Sequence, residues 1–217
     1  MRGCREEEDV PTESGIAGPI PEGRDPEEYD RLRRRVLWSM PTGLFVVGSR
    51  WGDDVNLMTA NLVMQVSTTP KLVAIAVETG AVTRQLVEKS EKFSISILAR
   101  TDRAIVRRFV KPASEVEFGP DRAITAIQGE PVMEVSKGVP ILASSVGWLA
   151  CEVRQTVELG GGTGREASHI LFIGEVVDVG EVTDDREPDS DASDADHAGT
   201  GRPEVLRMED TRMYYGG

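Results

Sequence analysis

Polar residues able to hold a ligand gather in one stretch, LMTANLVMQVSTTPKLVAIAVETGAVTRQLVEKSEKFSISIL, running from Leu57 to Leu98. It reads as two adjoining strands, a short helix and a third strand. The first strand alternates: Thr59, Asn61, Gln65 and Ser67 share one face, while Met58, Ala60, Leu62, Met64 and Val66 share the other. A barrel strand needs one buried face, which frees a face of hydroxyls and amides for recognition. Downstream, GAVTRQLVEKS opens a helix close to Thr83. The unpaired amides of its first turn, the Thr83 hydroxyl and the Arg84 guanidinium can converge on one anion, which is what a phosphate requires. An ordinary capped surface helix and a barrel exterior facing water explain the same residues, and the residues alone leave both readings open.

Other motifs carry less. GGGTG at 160–164 lacks the Lys-Ser/Thr of a phosphate loop and the GxGxxG spacing of a dinucleotide fold, so it reads as a hairpin connection. Cys4, Cys151, His169 and His197 have no zinc-ligand spacing, which gives an expectation of no metal. No Ser/His/Asp nucleophile arrangement is visible. His169 opens the apolar run HILFIGEV and is one of only two histidines, so it is the one imidazole attached to an ordered element. A lone histidine at a strand start is more often structural than catalytic.

The chain has 217 residues, enough for one well-buried domain but too few for two large ones. Its formal net charge of −12 argues against nucleic acid, whose binding depends on basic side chains replacing phosphate counterions. Much of that charge is local. EVTDDREPDSDASDAD, from Glu181 to Asp196, offers no large apolar residue after Val182 to offset its ordering entropy, and is expected to be a disordered loop. The expected insertion spans about 183–204, and residues 1–24, rich in Pro, Gly and Glu, are expected to be a disordered arm. No apolar run approaches a bilayer's thickness, and the N-terminus lacks the apolar centre of a secretory signal; with two scattered cysteines, this gives a cytoplasmic expectation.

These candidate residues need a frame. Asp25-Pro26-Glu27-Glu28 is a helix start, with a capping side chain, a first-turn proline and two acids at the positive end of the dipole. The helix is expected to reach about Met40, with Tyr29, Leu32, Val36, Leu37 and Met40 on one stripe. LFVVGS follows as a strand, then strands at 58–67 and 72–78, the helix after Thr83, and FSISIL. TDRAIVRRFVKP is expected as another helix stopped by Pro112, 112–145 as irregular chain, and 146–159 and 169–182 as two long closing strands. Connections this short exclude parallel crossovers and point to a closed or nearly closed antiparallel barrel.

Five pieces in order, PTGLFVVGS, MTANLVMQVSTTPKLVAIAVE, TRQLVEKSEKFSISIL, HILFIGEVVDVG and the ending MYYGG, resemble the flavin reductase-like family, whose members hold FMN on a split β-barrel. The resemblance spans roughly residues 26–217. It implies a mainly β fold: an FMN-binding split barrel, antiparallel and Greek-key-like, with peripheral helices, filling residues 25–217. It also implies that Thr59, Ala60, Asn61, Ser67 and Thr68 line the flavin, that Thr83 and Arg84 take its phosphate, that His169 faces flavin or nicotinamide, and that Tyr214 packs near the ring. Gln65 stands where many members carry a smaller residue. The implied activity is hydride transfer from NADH or NADPH to FMN, with FAD the alternative flavin, by a homodimer that serves a partner monooxygenase. The other reading is an FMN-binding electron carrier reduced by a protein donor, with the acidic segment as a docking site for a basic partner.

Overall fold

The computed structural model describes residues 18–160, 166–181 and 204–211. The acidic run beyond Glu181, His197, Tyr214 and Tyr215, and most of the N-terminal arm lie outside the described residues. Contacts divide the chain into two units, residues 1–41 with 214–217, and residues 42–213.

The described part of the first unit centres on α1, Pro26–Trp38. Asp25 caps it as expected, its carboxylate accepting from the Glu28 amide at 2.9 Å. The helix ends two residues before Met40, because the Ser39 and Met40 amides turn to the Val36 and Leu37 carbonyls. No residue of α1 is buried, so the apolar stripe of Leu32, Val36 and Leu37 remains uncovered.

The second unit is mainly β, with antiparallel pairing throughout. Seven strands form one sheet in the order β2-β1-β5-β10-β11-β4-β3: β1 Phe45–Trp51, β2 Asp54–Ala60, β3 Val63–Thr68, β4 Lys71–Glu78, β5 Lys92–Ile97, β10 Gly147–Glu158 and β11 His169–Glu181. The single strand expected over 58–67 is therefore two strands. Asn61 and Leu62 separate them, and β2 and β3 run along opposite edges of the sheet. Edges joined by two residues can stand no farther apart than those residues reach, so the sheet must curl until its margins meet at Asn61-Leu62. No ladder pairs β2 with β3, and the curl stops short of a hydrogen-bonded closed barrel.

Both faces of this sheet are packed near its centre. Val46 of β1 joins Leu44, Leu57, Leu98, Phe109, Ile127 and Leu206 in one cluster, whereas its neighbour Val47 joins Ile75, Val87, Phe93, Ile95 and Phe172 in the other. Strand alternation thus sends adjacent valines into separate cores. α2, Val82–Ser90, covers the second core through Val87, with Leu86 also buried, and ends at Glu91 in the left-handed conformation.

Two expectations fail here. TDRAIVRRFVKP forms 3₁₀ turns at Arg100–Asp102 and Ile105–Phe109 rather than one α-helix, since a segment this short, with β-branched residues inside, gains too few bonds to sustain a longer run. Residues 112–145 are not irregular: β6 Val116–Phe118, β7 Ile124–Ile127, β8 Glu130–Val135 and β9 Val139–Leu142 make a second, four-stranded sheet. Gln128 and Gly129 both take positive φ between β7 and β8, as a tight hairpin turn demands. Serines of β5 fasten this sheet: Ser94 donates to the Pro140 carbonyl, and Ser96 Oγ accepts from the Leu142 amide at 3.0 Å. The apposition leaves no room for a side chain at Gly48 of β1, where a methyl would strike the Pro140 carbonyl oxygen. Among the described residues, no helix is long and apolar enough to cross a membrane.

Candidate functional site

The α2 N-terminus is open. Ala81 occupies the cap position without a side-chain hydrogen bond, so the first-turn amides keep no capping partner from that residue. Arg84 sits one turn in, bracketed on two sides. Its Nε donates to Glu88 Oε1 at 2.8 Å and its Nη1 to the Thr79 carbonyl at 2.9 Å. Thr79 leads onward, because its amide donates to the Ser168 carbonyl at 2.9 Å. Ser168 Oγ lies 2.8 Å from His169 Nδ1. Through this chain of contacts the structure joins the α2 cation to the imidazole that opens β11, across 85 residues of sequence (169 − 84).

The strand ladder explains why they meet. His169 pairs with Glu78 at the end of β4, and the turn from Glu78 to Ala81 delivers the chain directly into α2. The Asn61-Leu62 corner approaches the same end of β4, with the Leu62 carbonyl accepting from the Ala76 amide at 3.0 Å. Ala60 is buried there and Asn61 half-buried, giving a small residue and an amide beside the same margin.

The remaining expected ligands divide between two fates. Thr59 and Thr83 turn inward. Thr83 is completely buried and its Oγ1 accepts from the Asn56 amide at 2.9 Å, which makes this hydroxyl a latch between α2 and β2. Asn56 Oδ1 in turn accepts from the Ala113 amide at 2.8 Å. Thr59 donates to the Val106 carbonyl at 2.5 Å, tying β2 to a 3₁₀ turn. The sequence argument missed this because alternation places a side chain on a face without revealing that both faces are covered. Ser67 and Thr68 lie at the far end of β3, paired with Leu72 and Lys71. Ser67 is five residue steps beyond Leu62, roughly 16 Å at normal strand rise. Gln65 Nε2 donates to the Ser67 carbonyl at 3.1 Å, so it braces the local bulge in β3.

Asn56, Thr79 and Ser168 are the residues that the sequence reading left out. The signal for Asn56 was a lone amide set between Val55 and Leu57 in the strand DVNLMTA. Nothing local marked Ser168, whose relevance comes from the β4–β11 register. Cys151 belongs to the second core, where burial pushes its thiol up to about 12, making it a packing residue and a poor nucleophile. Among the described residues, no three His, Cys, Asp or Glu side chains are grouped to hold a metal ion.

Residues 37–199 match the flavin reductase like domain, and the chain belongs to that family. It is 30% identical over 164 residues to the NADH-dependent FAD reductase of Streptomyces globisporus, covering 76% of this chain and 82% of that protein. The high molecular weight rubredoxin of Moorella thermoacetica is 26% identical over 147 residues, or 67% of this chain, and the match spans only 58% of that protein. Among solved structures, the NADH:FAD oxidoreductase of Streptomyces globisporus C-1027 superposes with a TM-score of 0.57 at 29% identity, covering 75% of this chain and 88% of the other.

Proposed function

We propose that this protein is a flavin-dependent oxidoreductase that passes hydride from NADH or NADPH to FMN or FAD, and that it works as a homodimeric flavin reductase supplying a monooxygenase partner. The observation that carries the reading is the meeting of Arg84, the open α2 amides, His169 and the Asn61 corner at one margin of the sheet. That donor set fits a phosphorylated flavin: an amide-rich, cationic end for phosphate, a small buried residue at Ala60 for close approach of a flat ring, and Asn61 for its polar edge. Bound flavin supplies the hydride-accepting ring, so no protein acid or base is needed for the transfer itself.

The chain's own residues position and exclude. Arg84 and the first-turn amides of α2 hold the phosphate. His169, with Nδ1 engaged by Ser168, offers Nε2 to flavin or nicotinamide. Thr83 and Asn56 keep α2 fixed on β2, which sets where those amides point. Ser67 with Thr68 is assigned to a separate contact along β3. The curled seven-stranded sheet supports the split-barrel reading, and the exposed apolar side chains of Met64 and Val66 on edge strand β3, with Leu62 just before it, support burial against a second copy.

The likeness to a high molecular weight rubredoxin favours a second reading, an electron carrier reduced by a protein donor. Anaerobic mixing of flavin-loaded protein with NADH and, separately, NADPH decides between them. Rapid bleaching of the flavin absorbance supports the reductase; no bleaching by either nucleotide, with reduction by a protein donor, sinks it.

A further inference from the structure

We propose that Glu88 competes with a flavin phosphate for Arg84, and so sets how readily flavin leaves the site. This rests on the reading of Arg84 as the phosphate cation. Arg84 is the only basic residue in the first turn of α2, and Glu88 one turn later takes its Nε–H at 2.8 Å. Both side chains are about one-third exposed, at 33% and 38%, so a ligand meets the pair already formed rather than a free guanidinium.

Two effects of Glu88 oppose each other. The carboxylate helps to orient Arg84, but exposed pairs at this spacing are worth little, roughly a twofold effect on an equilibrium. The Thr79 carbonyl holds Nη1 independently, so orientation survives without Glu88. Against this stands repulsion. A carboxylate and a nearly dianionic phosphate, separated by about 7 Å across one guanidinium, disfavour each other roughly sevenfold even with the dielectric of water. Repulsion wins, and Glu88 weakens phosphate binding by about threefold. A flavin held this way exchanges with solution, as a diffusing product must, instead of staying as a resident group.

The test compares FMN with riboflavin, which has the same ring and ribityl chain but no phosphate. Dissociation constants are measured by flavin fluorescence on wild type, Glu88→Gln and Arg84→Gln at low and high salt. Glu88→Gln should tighten FMN about threefold, leave riboflavin unchanged, and lose this gain at high salt as screening takes over. Equal shifts for both ligands, or none for either, overturn the role of Glu88. Arg84→Gln separates this from the underlying reading. If it abolishes the preference for FMN over riboflavin while Glu88→Gln has no effect, the phosphate site stands and only the competition fails. If Arg84→Gln leaves that preference intact, both fall.

Discussion

Replacing Thr83 by valine isolates the latch. Valine matches threonine in shape, so the substitution removes the hydroxyl without opening a cavity. Asn56, only 4% exposed, then loses the acceptor for its side-chain amide. Rotating the amide does not rescue it, because Oδ1 is committed to the Ala113 amide. A buried donor left without its partner costs about 1–3 kcal/mol. For a chain of this size that lowers the melting temperature by roughly 2 to 12 °C. Urea unfolding followed by tryptophan fluorescence should show the midpoint falling with an unchanged slope, and Thr83→Ser, which keeps the hydroxyl, should lose less. FMN affinity of the folded Thr83→Val protein should stay within about twofold of wild type, since the hydroxyl does not reach solvent. Unaltered stability together with a tenfold loss of FMN affinity would refute the latch and return Thr83 to the phosphate site.

Gly174→Ala should destabilise by about 1–3 kcal/mol in urea, because its methyl would sit 2.6 Å from the fully buried Phe93 ring and 3.0 Å from Cys151 Cβ; a neutral or stabilised variant would mean that the ring moves freely. Cys151 carries a thiol raised from 9.0 to about 12 by burial. The unfolded chain ionises it first, so its contribution is intact below pH 9 and is lost at roughly 1.4 kcal/mol per pH unit between 9 and 12; stability of wild type measured against Cys151→Ala across that range should diverge with this slope, and parallel curves would contradict it. Met64→Lys places a charge on the most exposed apolar position of β3, at 66%, and should shift the proposed dimer to monomer in sedimentation equilibrium relative to wild type, whereas an undiminished dimer would place the interface elsewhere.

Much of the frame was legible because it depends on local chemistry. The Asp25 cap, the strand at LFVVGS, the α2 start, and the long β10 and β11 strands follow from capping residues and apolar periodicity within a few positions of each boundary. The break at Asn61-Leu62 was not, since alternation runs uninterrupted through the corner and only the pairing of β2 with β1 and of β3 with β4 separates the two strands. The second sheet escaped for a related reason: strands of three to six residues between glycines and prolines carry too short a pattern to stand out, although Gln128-Gly129 marked its hairpin.

Sequence alone determined which residue types were available: a cation near the start of a helix, an amide beside a small residue, and an imidazole at the head of a strand. Tertiary structure decided which of them share a site. Hydrogen-bond register across β4 and β11 carries His169 to Arg84, and burial on both faces of the sheet withdraws Thr59 and Thr83 into its support. The physical reason is that a local pattern specifies the face on which a side chain emerges, whereas the material covering that face comes from residues remote in the chain.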